Sequence, residues 1–431
     1  MGFQLMRSKD FGLLMIGKFV SMIGSNMQQF ALALYVFALT ESALIFSTML
    51  SISILPRLLV SPVAGVFGDW FDRKKMIVRL DILNAIVLGG FAYLFFINGS
   101  FSLLMIYVIV IVLELSEIFY EASSAGIIPS IISKEKMAEA RSIESMILSV
   151  ARLISPMVGA LLYGLNGMLL VLIINAISFL LSGLSEMFIH VPANHKRPEK
   201  INVKSFFTDV KEGLKIIKDN RFIKTVISLG TIVNFVIAPF FSVGFIVMIK
   251  DVLEASDYHY GISQTVMSLS MISGPIAVSL LSKKVEVGKL CTISFFIVGF
   301  VVLLIALVPS PIFLQLFSGI LWPFVLLMIL AFGMGVSISL INISIMTLFS
   351  QVVPLHAMGR TSTVLNLLVT IAIPVGQLLF GFLYDTIASS YVIIISGLIL
   401  LGAITIFRKP MLQVGEKEED TQLGGQMAYE V

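Results

Sequence analysis

Residues 101–127 read Phe101-Ser-Leu-Leu-Met-Ile-Tyr-Val-Ile-Val-Ile-Val-Leu-Glu114-Leu-Ser-Glu117-Ile-Phe-Tyr-Glu121-Ala-Ser-Ser-Ala-Gly-Ile127. A bilayer core requires roughly 20 consecutive apolar residues per helical crossing, and this stretch supplies them. It also carries three glutamates, three and four positions apart, which a helix places on one face. An ionised side chain at mid-bilayer costs at least ~2.5 kcal/mol, so something in the fold must offset these charges. Membrane-spanning helices, some of them holding functional charge, are the first expectation.

The rest of the chain has the same character. Of its 431 residues, 58% are hydrophobic and 13% charged, a balance that a soluble globular domain does not show. Apolar runs fall at 11–39, 44–68, 76–97, 141–165, 167–189, 222–249, 258–281, 290–308, 320–350, 361–384 and 388–407, which with 101–127 makes twelve predicted spans. The first run is too long for a secretory signal and lacks a small-residue cleavage site, so it is expected to stay in the mature protein. A single cysteine, Cys291, cannot form an internal disulfide, and His190, His195, His259 and His356 sit at span ends or in joints. No disulfide framework, metal site or cofactor is expected.

The net charge of +3 says little, but its placement is informative. Arg7 and Lys9, the Arg73 to Arg79 cluster, Lys134, Lys136 and Arg141, the segment from Lys196 to Lys224, Lys283 to Lys289, Arg360, and Arg408 with Lys409 all fall on alternate joints. The opposite joints hold only Lys250. By the positive-inside rule, the chain is a multi-pass protein of the cell membrane with both termini in the cytoplasm.

Self-comparison shows a weak parallel repeat at an offset of about 210 residues, as in transporters whose halves are related by an axis along the membrane normal. Asp10-Phe11 answers to Arg221-Phe222. Arg141 followed by Pro156, Gly159 and Gly164 answers to Arg360 followed by Pro374, Gly376 and Gly381. The expected organisation is an N-terminal six-helix bundle over 1–189, a cytoplasmic linker over 190–221, a C-terminal six-helix bundle over 222–410 and a disordered cytoplasmic tail over 411–431. In the linker, Val203, Phe207, Val210, Leu214 and Ile217 recur at helical spacing between lysines, which predicts an amphipathic helix lying on the anionic leaflet. Glu416, Glu418, Glu419 and Asp420 make the tail read as solvated.

After the second span comes Gly65-Val-Phe-Gly-Asp69-Trp-Phe-Asp72-Arg73-Lys74-Lys75. It resembles the signature loop of the major facilitator superfamily: a glycine, an aspartate four residues on, then a basic cluster. Trp70 stands where a basic residue is usual and Asp72 where a glycine is usual. Further matching stretches are Gly24-Ser25, Ile128-Pro129, Lys211-Glu212-Gly213, and Gly359-Arg360 with Pro374 and Gly376, and they point to the macrolide-efflux and enterobactin-exporter branch. Ser155-Pro156-Met157-Val158-Gly159 resembles the fifth-helix motif of antiporters. The resemblance implies an all-α membrane fold of twelve transmembrane helices in two pseudo-symmetric six-helix bundles. It also implies a gating motif at Gly65, Asp69, Arg73 and Lys74, and helix bends at Pro156, Gly159, Pro374 and Gly376. Proline frees a backbone carbonyl and glycine permits close packing, so these helices can bend.

The family architecture places the first and fourth spans at a central cavity and the second and fifth beside them. Glu114, Glu117 and Glu121, with Arg57, Arg152 and Asn26, are then the candidates for proton coupling and cation attraction, Arg57 or Arg152 serving as countercharge. Static ion pairs holding the N-terminal half together would explain the same residues. Many antiporters of the family carry an arginine in the fourth span, which this chain lacks. Gln28, Gln29, Asn234, Asn342, Asn366 and Gln377 are further polar candidates, although interhelical hydrogen bonding is the commoner use of amides in spans.

The expected function is secondary active export of a bulky amphipathic compound, drug-like or macrolide-like, by proton antiport. The partners are then a small molecule, protons and membrane lipid, with no nucleic acid, and the protein is a monomer. Export of a siderophore or a lipid-like molecule is the alternative. A membrane-embedded enzyme is disfavoured, since no nucleophile and base pair, metal cluster or phosphate loop is evident.

Overall fold

The computed structural model describes residues 5–191, 220–281, 285–317, 319–353 and 355–427, with backbone alone at 62, 63, 65–70, 221, 351, 355–360, 363 and 410–427. Among the described residues there is no strand. The long helices are α1 (Lys9–Thr40), α2 (Ala43–Trp70), α3 (Arg73–Asn98), α4 (Leu103–Ser124), α5 (Met137–Met187), α6 (Arg221–Pro239), α7 (Asp257–Leu281), α8 (Val287–Ile305), α9 (Leu321–Val352), α10 (Leu355–Thr386) and α11 (Ser389–Met427).

Eleven segments are long and apolar enough to cross a membrane, and one of them, Lys134–Met187, has 54 residues. Its helix α5 breaks where Asn166 and Gly167 leave helical geometry, Gly167 with φ 64°. That break cuts α5 into two arms, 137–165 and 168–187, each long enough for the roughly 20 residues a crossing needs, and so gives twelve spans. Gly167 supplies the positive φ that a side chain would resist. The other ends are equally local. Asp72 caps α3, its Oδ1 accepting from the Lys75 amide at 3.1 Å. Ser102 caps α4 by accepting from the Met105 amide at 3.3 Å, and Gly99 closes α3 with φ 72°. The capping role gives Asp72 a use where the related loops carry glycine.

The amphipathic helix expected from Val203 to Ile217 lies outside the described residues. At the other end, α11 continues to Met427 across the stretch expected to be disordered from 411. Gln413, Glu416, Lys417, Glu418 and Glu419 are good helix formers and no proline follows Pro410, so the backbone can carry on.

The chain divides into two compact units. The first holds α1 to α5 and residues 257–265; the second holds α6, the rest of α7, and α8 to α11. In the first unit α1 lies between the two arms of α5. Gly17 faces Ser182, Gly24 faces Asn175 and Ser178, and Gly159 sits against the Met27 carbonyl and the Phe30 ring. Small residues allow these backbones to approach. A core of Phe11, Leu14, Met15, Ile77, Val78, Tyr120 and Ile143 ties α1, α3, α4 and α5 together at one end. Large apolar side chains such as Leu59, Ile86, Phe96 and Leu104 are exposed, as lipid-facing positions must be.

In the second unit α7 and α9 cross through a reciprocal small-residue contact, Gly274 against Ser339 and Gly335 against Ser270. Beyond Pro239, α6 runs on as wide-turned π-helix over Phe240–Gly244 and Val247–Val252. Pro239 has no amide hydrogen and so releases the carbonyl four residues back, that of Phe235. Gly376 of α10 packs directly on that carbonyl. The α10 glycine thus meets α6 as Gly159 of α5 meets α1, which is the repeat of the sequence expressed in packing.

Candidate functional site

Four charged residues of the first unit, Arg57, Glu114, Glu117 and Glu121, lie on α2 and α4. From α2, Arg57 donates through Nε to Glu114 Oε1 at 2.7 Å and through Nη1 to Glu121 Oε2 at 2.8 Å. The forked guanidinium suits this work, since it can satisfy two carboxylates two helical turns apart. Glu117, one turn from each, makes no ion pair among the described residues. The side chains of Arg57 and Glu121 are 41% and 53% exposed and that of Glu114 is 17% exposed, so the clamp opens to solvent or lipid on one side.

Arg152 is exposed on α5 and makes no ion pair with these glutamates among the described residues. Of the two candidate countercharges, the geometry therefore selects Arg57. Asn26 is half-buried, and its Nδ2 is buried without a hydrogen-bond partner.

A second ion network lies elsewhere in the same unit. Lys18 Nζ meets Glu144 Oε1 at 2.6 Å, and Arg141 Nη1 meets Glu144 Oε2 at 2.7 Å. With both oxygens occupied, Glu144 joins α1 to α5 as a structural pair.

Of the gating motif, Arg73 is described in full: its Nη1 donates to the Gly126 carbonyl at 3.1 Å. Arg141 Nη2 donates to the neighbouring Ala125 carbonyl at 3.2 Å. Two arginines from different helices thus hold the turn after α4. A side chain on Gly126 would collide with the Arg73 guanidinium. Lys74 is half-buried beside Arg73, while Gly65 and Asp69 are described by backbone alone.

The amide candidates divide. Gln28 Oε1 accepts from Asn175 Nδ2 at 2.5 Å, both fully enclosed between α1 and α5. Asn234 donates to its own helix at the Gly230 carbonyl, 2.9 Å, and Gln377 Nε2 reaches Ser242 Oγ at 3.3 Å. Gln29, Asn342 and Asn366 are exposed. Pro156 and Pro374 both sit inside helices, α5 and α10.

Sequence reasoning misses three buried polar residues. Asp81 on α3 and Glu186 on α5 are 1% and 0% exposed, and the hydroxyl of Tyr120 donates to Glu186 Oε1 at 2.6 Å. Each carboxyl falls within about two turns of a predicted span end, where a charge reads as solvated. The one available signal is that Asp81 and Glu186 share their helical faces with Asn84 and Ser182, polar positions one turn away.

Comparison with known proteins agrees with this architecture. The model of the Major Facilitator Superfamily matches residues 14–377. Macrolide efflux protein A of Streptococcus pyogenes is 21% identical over 385 residues, covering 89% of this chain and 92% of the relative. The multi-drug resistance efflux pump PmrA of Streptococcus pneumoniae serotype 4 is 28% identical over 166 residues, 38% of this chain and 39% of that one. Among solved structures, a bacterial homologue of the human lysosomal transporter Spinster superposes with a TM-score of 0.70 at 12% identity, covering 95% of this chain and 98% of that one. Twelve spans, two compact units and a family match over most of the length lead to one conclusion: the chain belongs to the Major Facilitator Superfamily of membrane transporters.

Proposed function

We propose that this transporter exports a bulky amphipathic compound, of the drug or macrolide kind, from the cytoplasm in exchange for protons, as a monomer with both termini cytoplasmic. The observation that carries the reading is the unequal treatment of the three glutamates: Arg57 clamps Glu114 and Glu121, while Glu117 has no ion pair among the described residues. An unclamped carboxylate in a low-dielectric span is free to exchange a proton or to attract a cationic substrate, and a change in its charge beside the clamp gives the site two discrete arrangements for alternating access. The efflux proteins among the relatives support the direction and the substrate class.

The test is transport in proteoliposomes under an imposed pH gradient, with a macrolide and a fluorescent lipophilic cation as probes. Uphill movement that collapses with a protonophore is expected. Glu117→Gln should abolish the response to the gradient while retaining binding of a neutral substrate. Wild-type transport indifferent to the gradient would sink the antiport reading.

A further inference from the structure

Behind the Arg57 clamp, α3, α4 and the second arm of α5 enclose a separate polar cluster. Asp81 points from α3 onto α5 at Gly183, where the missing side chain makes room for it. Glu186 lies one turn farther along the same face of α5, with Oε1 held by the Tyr120 hydroxyl. Asp81 Oδ2 and Glu186 Oε2 are each buried without a close hydrogen-bond partner among the described residues. Ser182 is itself wholly enclosed and lies beside the Asp81 carboxyl. The charged and titratable groups facing the cluster are Glu117 and Tyr120 from α4 and Lys18 from α1. Lys18 is already bound to Glu144. No cation among the described residues contacts either carboxyl.

Two ionised carboxylates cannot persist so close together in such a place: neither has a cation in contact among the described residues, and the Ser182 hydroxyl can offer its one hydrogen to only one of them. A bound proton relieves both faults. It neutralises one carboxyl and adds a second O–H donor to the one that the Ser182 hydroxyl already carries, enough for the open oxygens of Asp81 and Glu186. We propose that Asp81 and Glu186 form a proton-binding site within the first unit, distinct from the Arg57-clamped glutamates, with Glu117 as its neighbour on α4. The step is a simple protonation: an O–H bond forms on a carboxylate oxygen and the proton returns to water when the cluster is opened. Its role as a coupling site rests on the antiport reading given above; its existence as a proton site does not.

The experiment is infrared spectroscopy of the full chain in lipid nanodiscs, following the carbonyl stretch of un-ionised carboxylic acid across the neutral pH range in light and heavy water. A protonated, slowly exchanging carboxyl band is expected in the unsubstituted protein. It should be lost in Asp81→Asn or Glu186→Gln and unchanged in Glu114→Gln. Tyr120→Phe, which keeps the ring and the fold, should shift the band by removing the donor to Glu186. Absence of the band, or a band indifferent to all three cluster substitutions, overturns the proposal. Counterflow and gradient-driven transport are measured in parallel: Asp81→Asn should retain counterflow and lose the gradient response. If the unsubstituted protein ignores the gradient, the antiport reading fails and the infrared result still judges the proton site alone.

Discussion

Arg57 reaches from α2 to α4 and donates through Nε to Glu114 Oε1 at 2.7 Å. The same guanidinium extends to Glu121, two turns along, and passes over Glu117. The relationship sets one glutamate of three apart, although all three lie on one helical face.

If the clamp is energetically coupled, Arg57→Met and Glu114→Gln will not be additive. Arg57→Met leaves Glu114 and Glu121 both without their cation, and adding Glu114→Gln removes one of those stranded charges, whereas Glu114→Gln alone leaves the guanidinium on Glu121. The double-mutant cycle should show a coupling of about 0.5–3 kcal/mol, read by thermal unfolding in detergent. Strict additivity would mean that the pair contributes nothing.

Gln28 and Asn175 lead to the opposite expectation. Their hydrogen bond is enclosed between α1 and α5 and reaches no open site. Gln28→Leu should lower stability by roughly 0.5–2 kcal/mol, the range measured for hydrogen bonds between membrane helices, and leave substrate preference unchanged. An altered substrate profile at normal stability would place Gln28 in the cavity.

Gly376 and Gly89 make a matched pair of alanine substitutions. A methyl at Gly376 meets the Phe235 backbone carbonyl, which cannot swing aside, while nothing lies near Gly89. Gly376→Ala should destabilise by about 1–3 kcal/mol through overpacking. Gly89→Ala should be neutral or favourable by up to about 1 kcal/mol through helix propensity. Equal melting temperatures for the two variants would contradict the packing described.

At the turn after α4, Gly126→Ala displaces only the end of a flexible side chain, that of Arg73. Stability should change by less than about 1 kcal/mol, since a guanidinium on a long stem can move away at small cost. Transport rate should fall, because the turn loses one of its two arginine anchors. Unaffected turnover would remove the Arg73 contact from the gating cycle.

Much of this architecture is legible in the sequence. Apolar run length sets the spans, and the twelfth appears once the Asn166 and Gly167 break in α5 is recognised. The carboxylates on α4 were legible because mid-span charge is costly wherever it occurs. Which cation answers them was not: Arg57 and Arg152 lie at similar depth in sequence, and only the rotation of α2 and α5 decides between them. Asp81 and Glu186 stayed hidden for a related reason. Burial near a helix end depends on which neighbours crowd that end, and a single chain's periodicity does not encode its neighbours.

The π-helical continuation of α6 also bears on how this chain is aligned with its relatives. A π turn closes a ring one residue larger than an α turn, so each such turn accommodates one additional residue without lengthening the helix in proportion. A homologue whose corresponding segment is plain α-helix can keep the same faces on both sides of 240–252 only if it has a residue fewer for every π turn. Gapless alignment through Phe240–Val252 would therefore pair inward side chains with outward ones, and a single-residue deletion here is the shift in phase to look for when residues of the seventh span are transferred between family members.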